Sequence, residues 1–332
     1  MDQTLEPGTL LAGRYCIKAV IAVGGMGAVY EALDERFGRP VAVKVVLREL
    51  AKDPRLVARF EREAGALARL SHPSFVHVHD FGATDDGVSY LVMERVTGTN
   101  LGDLLAKEGP LAPERAADLV EQALGALEVA HEAGIVHRDL KPANLMVIAS
   151  GASRELVKVL DFGVAQLRTG EAYSRLTRTG SIVGTPSFMS PEQARGEEID
   201  ARSDLYAMGV VLYCLLTGKR PFEGTDLADI LHKVRNEPAP SADVRRPGVP
   251  PALARIVDRA MEKNASRRYA SAREMAQALV TWRGTRISGS TPQPSSPREA
   301  ATIVAKLTPA TAPLPQTNAP ALHAPSVSAL EP

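Results

Sequence analysis

The chain has 332 residues, of which 45% are hydrophobic, enough for roughly two domains with a sizeable buried core. Its 39 basic and 39 acidic residues give no net charge, which argues against nucleic acid or an anionic membrane surface as its partner. The two cysteines, Cys16 and Cys214, lie far apart in the sequence, so we expect free thiols in a reducing compartment and neither a disulfide framework nor a zinc site.

No targeting or membrane-spanning segment is recognisable in the sequence. The first residues, MDQTLEPGTLLAGRY, have neither the basic start nor the long apolar run of a secretory leader. The longest apolar run, Ala207–Gly218, is much shorter than the roughly 20 residues that span a bilayer. We therefore expect a soluble, cytoplasmic chain.

A glycine cluster in the stretch IAVGGMGAVY is the first candidate for a ligand site. Its glycines, Gly24, Gly25 and Gly27, let the backbone approach a phosphate closely. A dinucleotide fold needs a helix after the glycines, whereas Val29 and Tyr30 continue a strand, and the Gly-Lys-Ser/Thr of a Walker loop is absent. A strand–glycine–strand hairpin that covers phosphates remains.

Two strands and a helix follow this hairpin. We predict strands over Val41–Leu47 and Val88–Glu94, and between them a helix that Asp53 caps and Pro54 begins. The apolar residues of this helix recur at helical spacing and are Leu56, Phe60, Ala64 and Leu67.

Lys44 and Glu63 are predicted to form an ion pair near the phosphates. Lys44 lies in the strand after the hairpin, and Glu63 lies alongside the apolar stripe of the helix, where an inward carboxylate needs a cation. The pair would hold the Lys44 ammonium within reach of the α- and β-phosphates.

The second half of the chain is predicted to be mainly helical. Ala116–Ala130 has an apolar stripe and stops at Gly134, and Ser203–Thr217 is apolar nearly all round, as in a helix buried inside a domain. We expect Ser203 and Gly218 to cap the second helix. A small sheet-rich unit followed by a larger helical unit predicts a ligand cleft between the two.

The stretch IVHRDLKPANLMV carries the residues suited to phosphoryl transfer. Asp139 can orient a hydroxyl nucleophile and accept its proton, and Lys141 can stabilise the γ-phosphoryl group. Asn144 adds a neutral oxygen ligand for a metal. A second strand then leads into Asp161, a hard anionic oxygen ligand suited to Mg²⁺.

The motifs VAVK, HRDLKPAN, DFG and GTPSFMSPE, in this order, resemble a bacterial eukaryotic-like (Hanks-type) serine/threonine protein kinase over about residues 10–283. The resemblance implies an α+β, two-lobed protein-kinase-like fold. A small β-rich N-lobe with one key helix, residues 10–96, precedes a larger, mainly α C-lobe, residues 97–283. Residues 1–9 form an extension, and the Pro/Ala/Ser/Thr-rich residues 284–332 are expected to be a disordered tail.

The implied activity is ATP-dependent phosphorylation of protein Ser/Thr hydroxyls in bacterial signal transduction, with Mg²⁺, or Mn²⁺ in its place, as the cofactor. Asp139 would be the catalytic base, assisted by Lys141, Lys44 and Glu63, and the metal ligands would be Asn144 and Asp161. The implied ATP-binding residues are Ile21, Ala22, Gly24, Gly25, Gly27, Val29, Ala42, Lys44, Met93, Glu94, Val96 and Met146.

The resemblance assigns these ATP-binding residues different contacts. The glycine backbone would cover the phosphates, and Met93 would be the gatekeeper residue at the back of the pocket. Glu94 and Val96 would offer hinge backbone groups to the base. The residues that would sandwich the adenine are Val29, Ala42 and Met146.

The resemblance also implies structural roles. A hydrophobic spine would stack between the lobes and be anchored by Asp204, and Glu192 would pair with Arg268 inside the C-lobe. Thr185 would tie Lys141 and Asp139 into the substrate platform. The spine residues would be Leu67, Val78, His137 and Phe162.

Regulation is expected to involve the polar segment between Asp161 and Glu192. Arg138 precedes the catalytic aspartate and needs an anion, which a phosphothreonine supplies. We expect autophosphorylation at Thr177 and Thr179. The partners implied are ATP and protein substrates, with a homodimer as one arrangement for trans-autophosphorylation.

Three departures from the family pattern stand out. Ala22 replaces the first glycine of the phosphate loop, Ser190 replaces the commoner alanine of Ala-Pro-Glu and is expected to be silent, and Gln166 is neutral where relatives often carry a base. The alternative function is a pseudokinase-type nucleotide-binding scaffold, which predicts damage to the catalytic residues, and none is damaged.

The other histidines are expected to be structural or surface residues: His72, His77, His79 and His131.

Overall fold

The computed structural model describes residues 5–24, 27–46, 54–150, 154–162 and 186–288. Residues 1–286 form one compact unit and residues 287–332 a second, of which only the first two residues are described. Several predicted features lie outside the described residues: Gly25, Asp53, Gln166, Thr177, Thr179 and Thr185. Within the described residues, no helix combines the length and apolar character needed to cross a bilayer.

The described part of the N-terminal region forms a six-stranded antiparallel sheet in the order β1-β2-β3-β4-β6-β5. The strands are β1 (Leu10–Leu11), β2 (Tyr15–Gly24), β3 (Gly27–Asp34), β4 (Arg39–Val46), β5 (Val78–Ala83) and β6 (Ser89–Glu94). The predicted strands are thus present: β4 begins two residues before Val41, and β6 begins one residue after Val88 and ends at Glu94 as predicted. Leu47 lies outside the described residues.

The two faces of this sheet have different neighbours. Along β3, buried and half-buried residues alternate, as the period of a strand requires. One face, which includes Tyr30 and Val43, packs into a small core of its own, whereas the other, which includes Ala42 and Met93, joins the main core of the molecule. The second face is therefore the one that meets the C-lobe.

The predicted helix of the N-lobe is α1 (Pro54–Leu67), and it begins at the predicted proline. Three residues of its apolar stripe, Phe60, Ala64 and Leu67, are buried in the main core. The helix packs on the sheet beside β5. Glu63 is half-buried on the same helix.

The C-lobe is mainly helical. Its helices in the described residues are α2 (Leu101–Glu108), α3 (Pro113–Glu132), α4 (Pro191–Arg195), α5 (Ala201–Thr217), α6 (Leu227–Asn236), α7 (Ala242–Arg245), α8 (Pro251–Ala260) and α9 (Ala272–Ser288). A three-stranded sheet, in the order β7-β8-β9, joins β7 (Thr99–Asn100), β8 (Leu145–Ser150) and β9 (Arg154–Val159).

The central helix α5 begins two residues earlier than predicted. Its N-cap is Asp200, whose side chain accepts a hydrogen bond from the Arg202 N–H, so Ser203 lies inside the first turn. The Ser203 hydroxyl instead donates to Glu192. The predicted C-cap is confirmed, because Gly218 has φ 72° and its N–H closes the last turn.

Other helix boundaries also differ from the predictions. α3 begins at Pro113, three residues before the apolar stripe, because proline fits the first turn, where its missing N–H costs no hydrogen bond. α9 continues through Gly284 to Ser288, past the position where composition placed the start of the tail. Ser190 is the N-cap of α4 and forms a capping box with Gln193, so its substitution for alanine has a structural role.

Candidate active site

Asp139, Lys141 and Asn144 form a hydrogen-bonded cluster in the loop between α3 and β8. Lys141 Nζ donates to Asp139 Oδ2 at 2.8 Å. Asn144 Nδ2 donates to the Asp139 carbonyl at 2.8 Å and to its Oδ2 at 3.3 Å. The Asp139 carboxylate is about one-third exposed, so it is held in place while a substrate can still reach it.

The buried carboxylate of Asp204 on α5 holds the backbone of the loop that carries Asp139. Asp204 accepts hydrogen bonds from the backbone N–H of His137 at 2.8 Å and of Arg138 at 2.9 Å. Its Oδ2 also lies 2.8 Å from His131 Nε2. Arg138 has φ 68°, a left-handed conformation that is costly for a side chain with a Cβ. Asp204 therefore stabilises a strained turn immediately before Asp139.

Asp161 follows β9 and pairs with Lys44 of β4, whose Nζ donates to Oδ1 at 2.8 Å. Asp161 also has a left-handed backbone, with φ 51°. Burial acts to raise its pKa, but the cations Lys44 and Lys141 outweigh burial and the pKa is lowered. The carboxylate is therefore ionised near neutral pH. The predicted pairing of Lys44 with Glu63 stays a prediction.

Phe162 packs between the two lobes. Its ring centroid lies 4.7 Å from that of His137 and 5.0 Å from that of Phe75. The predicted spine residues Leu67 and Val78 line the same small cavity as Phe162, with a volume of about 30 Å³. Phe75 belongs to this stack although the sequence analysis did not select it, because a single aromatic residue outside a periodic segment gives no signal.

The residues expected around the adenine lie on the cleft side of the sheet. Ala42 is opposite Met93 in the β4–β6 register, and Val29 is opposite Lys44 in the β3–β4 register. Opposite residues of an antiparallel pair point to the same face. Met146 lies half-buried on β8, in the C-lobe sheet.

The phosphate hairpin is described on both sides of its tip. Gly27 has φ 147°, and a Cβ there would lie 1.9 Å from the Val45 carbonyl oxygen, so this position requires glycine. Ile21, Ala22 and Gly24 are exposed on β2. Ala22 sits opposite Val29 in the strand register, where an alanine fits without strain.

Lys158 of β9 is a second residue that the sequence analysis missed. Its Nζ donates to Glu94 Oε2 at 2.9 Å and to the Phe75 carbonyl at 2.8 Å. Glu94 is the first of the two residues expected to offer hinge groups to the base. The backbone N–H of Glu94 in turn donates to the His77 carbonyl at 2.8 Å, so this end of the hinge is held from two sides.

The predicted ion pair between Glu192 and Arg268 is present and buried. Arg268 donates to both carboxylate oxygens, each at 2.7 Å, and the Ser203 hydroxyl adds a third hydrogen bond. Burial acts to raise the pKa of Glu192, but these hydrogen bonds outweigh it and hold the pKa at about 2. The pair joins α4 to the segment before α9.

The histidines make structural contacts. His131 binds Asp204, His72 Nδ1 accepts from the Ser74 N–H, and the rings of His77 and His79 pack with centroids 5.0 Å apart. Among the described residues, no group of three or more His, Cys, Asp or Glu side chains could hold a metal by itself. Such a set is not required for Mg²⁺, which typically uses one or two protein oxygens together with substrate phosphates.

Comparison with known proteins identifies the family. Residues 15–280 match the protein kinase domain. The chain is 45% identical over 268 residues to the serine/threonine-protein kinase pkn3 of Myxococcus xanthus, covering 80% of this chain and 49% of that protein. It is 42% identical over 274 residues to the serine/threonine-protein kinase PknB of Mycobacterium tuberculosis, covering 81% and 43%. The chain thus spans less than half the length of these relatives.

Solved structures agree on the fold. The crystal structure of the PknI kinase domain of Mycobacterium tuberculosis is 28% identical, with a TM-score of 0.66, covering 84% of this chain and 99% of that one. The structure of Rad53 1–466 in complex with AMP-PNP is 25% identical, with a TM-score of 0.66, covering 80% and 64%. The chain belongs to the protein kinase domain family, in the branch of the bacterial eukaryotic-like serine/threonine kinases.

Proposed function

We propose that this chain is an ATP-dependent serine/threonine protein kinase that acts on Ser/Thr hydroxyls of proteins. The observation that carries the proposal is the convergence of two ion pairs, Lys44 with Asp161 and Lys141 with Asp139. The Leu160 N–H donates to the Asn144 carbonyl at 2.8 Å, which holds the neighbouring Asp161 beside the Asp139 loop, and Asp161 is bound to Lys44 of the N-lobe sheet. A cation, a base and a metal-binding carboxylate are therefore gathered around one space.

The proposed reaction uses each of these residues once. The substrate hydroxyl oxygen attacks the γ-phosphorus, the bond between the γ-phosphorus and the bridging β–γ oxygen breaks, and ADP leaves. Asp139 orients the hydroxyl and accepts its proton, while Lys141 offsets charge on the transferred group. Lys44 binds the α- and β-phosphates, and Glu63 positions it.

The donor atoms fit a divalent cation. Asn144 uses Nδ2 as a donor to Asp139, which leaves its Oδ1 as the atom that binds a metal, and the Asp161 carboxylate supplies an ionised hard ligand. Mg²⁺, or Mn²⁺ in its place, would neutralise phosphate charge when bound. For the nucleotide itself, support comes from Rad53, a similar structure described in complex with AMP-PNP.

The proposal extends to regulation and location. We infer a cytoplasmic kinase in bacterial signalling that phosphorylates itself at Thr177 and Thr179, in trans between two copies of the chain. Mixing active kinase with a catalytically dead copy and mapping phosphopeptides on the dead copy tests this. An unmodified dead copy beside a modified active one contradicts the trans arrangement.

The decisive test is the substitution Asp139→Asn. Removal of the base should lower the rate of ³²P transfer from ATP to a basic protein substrate by about 10²–10⁴-fold. Nucleotide binding should persist, because Asp139 contacts the hydroxyl and not the adenine. If wild-type protein binds ATP but transfers no phosphate, the pseudokinase-type scaffold is the correct function.

A further inference from the structure

Arg95, between Glu94 and Val96 in the segment after β6, makes two directed contacts. Its Nη1 donates to the Val96 carbonyl oxygen at 2.6 Å. Its Nη2 donates to Glu31 Oε2 at 3.3 Å, forming an ion pair with β3. One guanidinium therefore links the backbone of the hinge to a strand of the N-lobe sheet.

Glu31 lies on the face of the sheet that lines the cleft. It is opposite Ala42 in the β3–β4 register, and Ala42 is opposite Met93 in the β4–β6 register. Opposite residues share a face, so Glu31, Ala42 and Met93 form one row across three strands. Ala42 is predicted to pack on the adenine and Met93 to be the gatekeeper residue, and Glu31 is thus one strand away from the predicted adenine contact.

The guanidinium of Arg95 is largely buried at these contacts. Its side chain is about one-quarter exposed, and the Nε–H is buried without a hydrogen-bond partner among the described residues. A buried donor without a partner is unfavourable, so the side chain adopts this position only because its other contacts outweigh that cost. The planar fork of arginine suits such a contact, since it can bind a carboxylate and a carbonyl at once.

We propose that Arg95 and Glu31 form a hinge strap that sets the affinity for the ATP base by positioning Val96. The inference rests on the proposed kinase function. Val96 is the second residue expected to offer hinge backbone groups to the adenine. The Val96 carbonyl and Glu31 of β3 both accept hydrogen bonds from the same guanidinium. The strap therefore orders this part of the pocket before ATP binds. Arg95 and Glu31 are positioning residues, because they act through Val96.

The strap should affect ATP binding and not the rate of phosphoryl transfer. Asp139, Lys141 and Asn144 take their geometry from α5 and from each other, whereas the hydrogen bonds of Arg95 among the described residues go to Val96 and Glu31. Loss of the strap should therefore change the ATP KM and Kd and leave kcat nearly unchanged. A general loss of structure would instead lower kcat and thermal stability together.

The test measures the Kd of a fluorescent ATP analogue, ATP KM and kcat for wild type, Arg95→Ala, Glu31→Gln and the double variant. Arg95→Ala should raise Kd and KM about threefold to tenfold, as expected for a partly exposed ion pair plus a charge-assisted hydrogen bond. Glu31→Gln should raise them about twofold. The double variant should match Arg95→Ala, because the two residues share one interaction.

Two further variants act as controls. Arg95→Lys keeps the positive charge and should recover part of the affinity. Arg255→Ala removes an exposed arginine of α8 and should leave Kd, KM and kcat unchanged. If Arg95→Ala leaves Kd within 1.5-fold (~0.2 kcal/mol) of wild type, or lowers kcat as much as it raises KM, the strap is wrong. Wild-type protein that binds the analogue but transfers no phosphate contradicts the proposed function instead, and the Kd comparison still decides the strap.

Discussion

Two sets of ion pairs in this protein lie in contrasting settings. The pair of Glu192 and Arg268 in the C-lobe is nearly closed to solvent, with side-chain exposures of 12% and 0%, and is completed by the Ser203 hydroxyl. The cleft pairs, Lys44 with Asp161 and Lys141 with Asp139, keep about one-third of each carboxylate exposed. Each pair joins a carboxylate to a cation, but the surroundings of the pairs differ.

The difference shows that carboxylate–cation pairs can either stabilise the fold or remain accessible in a cleft. Arg268 also donates to the carbonyls of Glu262 and Arg202, so almost every polar atom of the buried pair is used within the protein. The cleft carboxylates retain accessible oxygens and are held by partners that could shift to a ligand. The buried pair is saturated by contacts within the protein, whereas the cleft pairs keep the exposed carboxylate oxygens that the proposed function requires.

The strongest test of this contrast is the substitution Arg268→Met. It leaves the Glu192 carboxylate buried without its cation, and such a loss costs about 3–5 kcal/mol of unfolding free energy. Urea unfolding followed by circular dichroism measures the change. The matched variant Asp139→Asn should alter stability by less than about 1 kcal/mol, because its pair is partly solvated. Equal losses in the two variants would remove the distinction between the settings.

Acid should affect the buried pair in a defined window. The folded pKa of Glu192, about 2, is below its ordinary value of 4.5. The pair therefore contributes its full stability above pH 4.5 and loses it as the pH falls toward 2. The contribution amounts to about 3 kcal/mol.

The contribution of Glu192 can be separated from that of other acids. Urea unfolding is repeated between neutral pH and the acid limit for wild type and for the double variant Glu192→Gln/Arg268→Met. The double variant has no carboxylate at this position, so its stability should fall less steeply over the window. Parallel curves would show that the pair does not titrate as expected.

The smallest effect is expected at the phosphate hairpin, where Ala22 is exposed and takes part in no ion pair. Ala22→Gly adds backbone freedom to an exposed strand residue, and ordering a glycine costs about 0.5–1 kcal/mol more than ordering an alanine. ATP KM should rise about twofold to fourfold, with kcat unchanged. Steady-state titration of ATP measures both. Phosphoryl transfer that appears only in the Ala22→Gly variant would favour the pseudokinase hypothesis.

The sequence predicts the fold well wherever a pattern is local or a motif is specific. The strands around Lys44, the start of α1 at Pro54 and the C-cap at Gly218 follow from side-chain periodicity and from the backbone preferences of proline and glycine. Helix starts are less predictable. Asp200 and Ser203 are both good N-caps, and only the tertiary contact of Ser203 with Glu192 decides between them.

The candidate site is predictable in its residues but less so in its contacts. Asp139, Lys141 and Asn144 lie within one short loop, so their cluster follows from proximity in the sequence. The contact of Lys44 with Asp161 joins residues 117 positions apart, and the sequence analysis offered Lys44 only Glu63 as a partner. Arg95 has no sequence signal of its own, because its proposed role in the hinge strap depends on strand register and not on any motif.

Asp204 has a consequence for how heat affects the cleft. Its carboxylate holds two backbone N–H groups of the catalytic loop, yet it belongs to α5, whose residues from Ser203 to Thr217 are all buried. The loop cannot open by itself without breaking contacts to the most protected helix of the C-lobe. Amide hydrogen exchange at His137 and Arg138 should therefore be nearly as slow as in that helix, and the catalytic geometry should persist until the C-lobe as a whole unfolds.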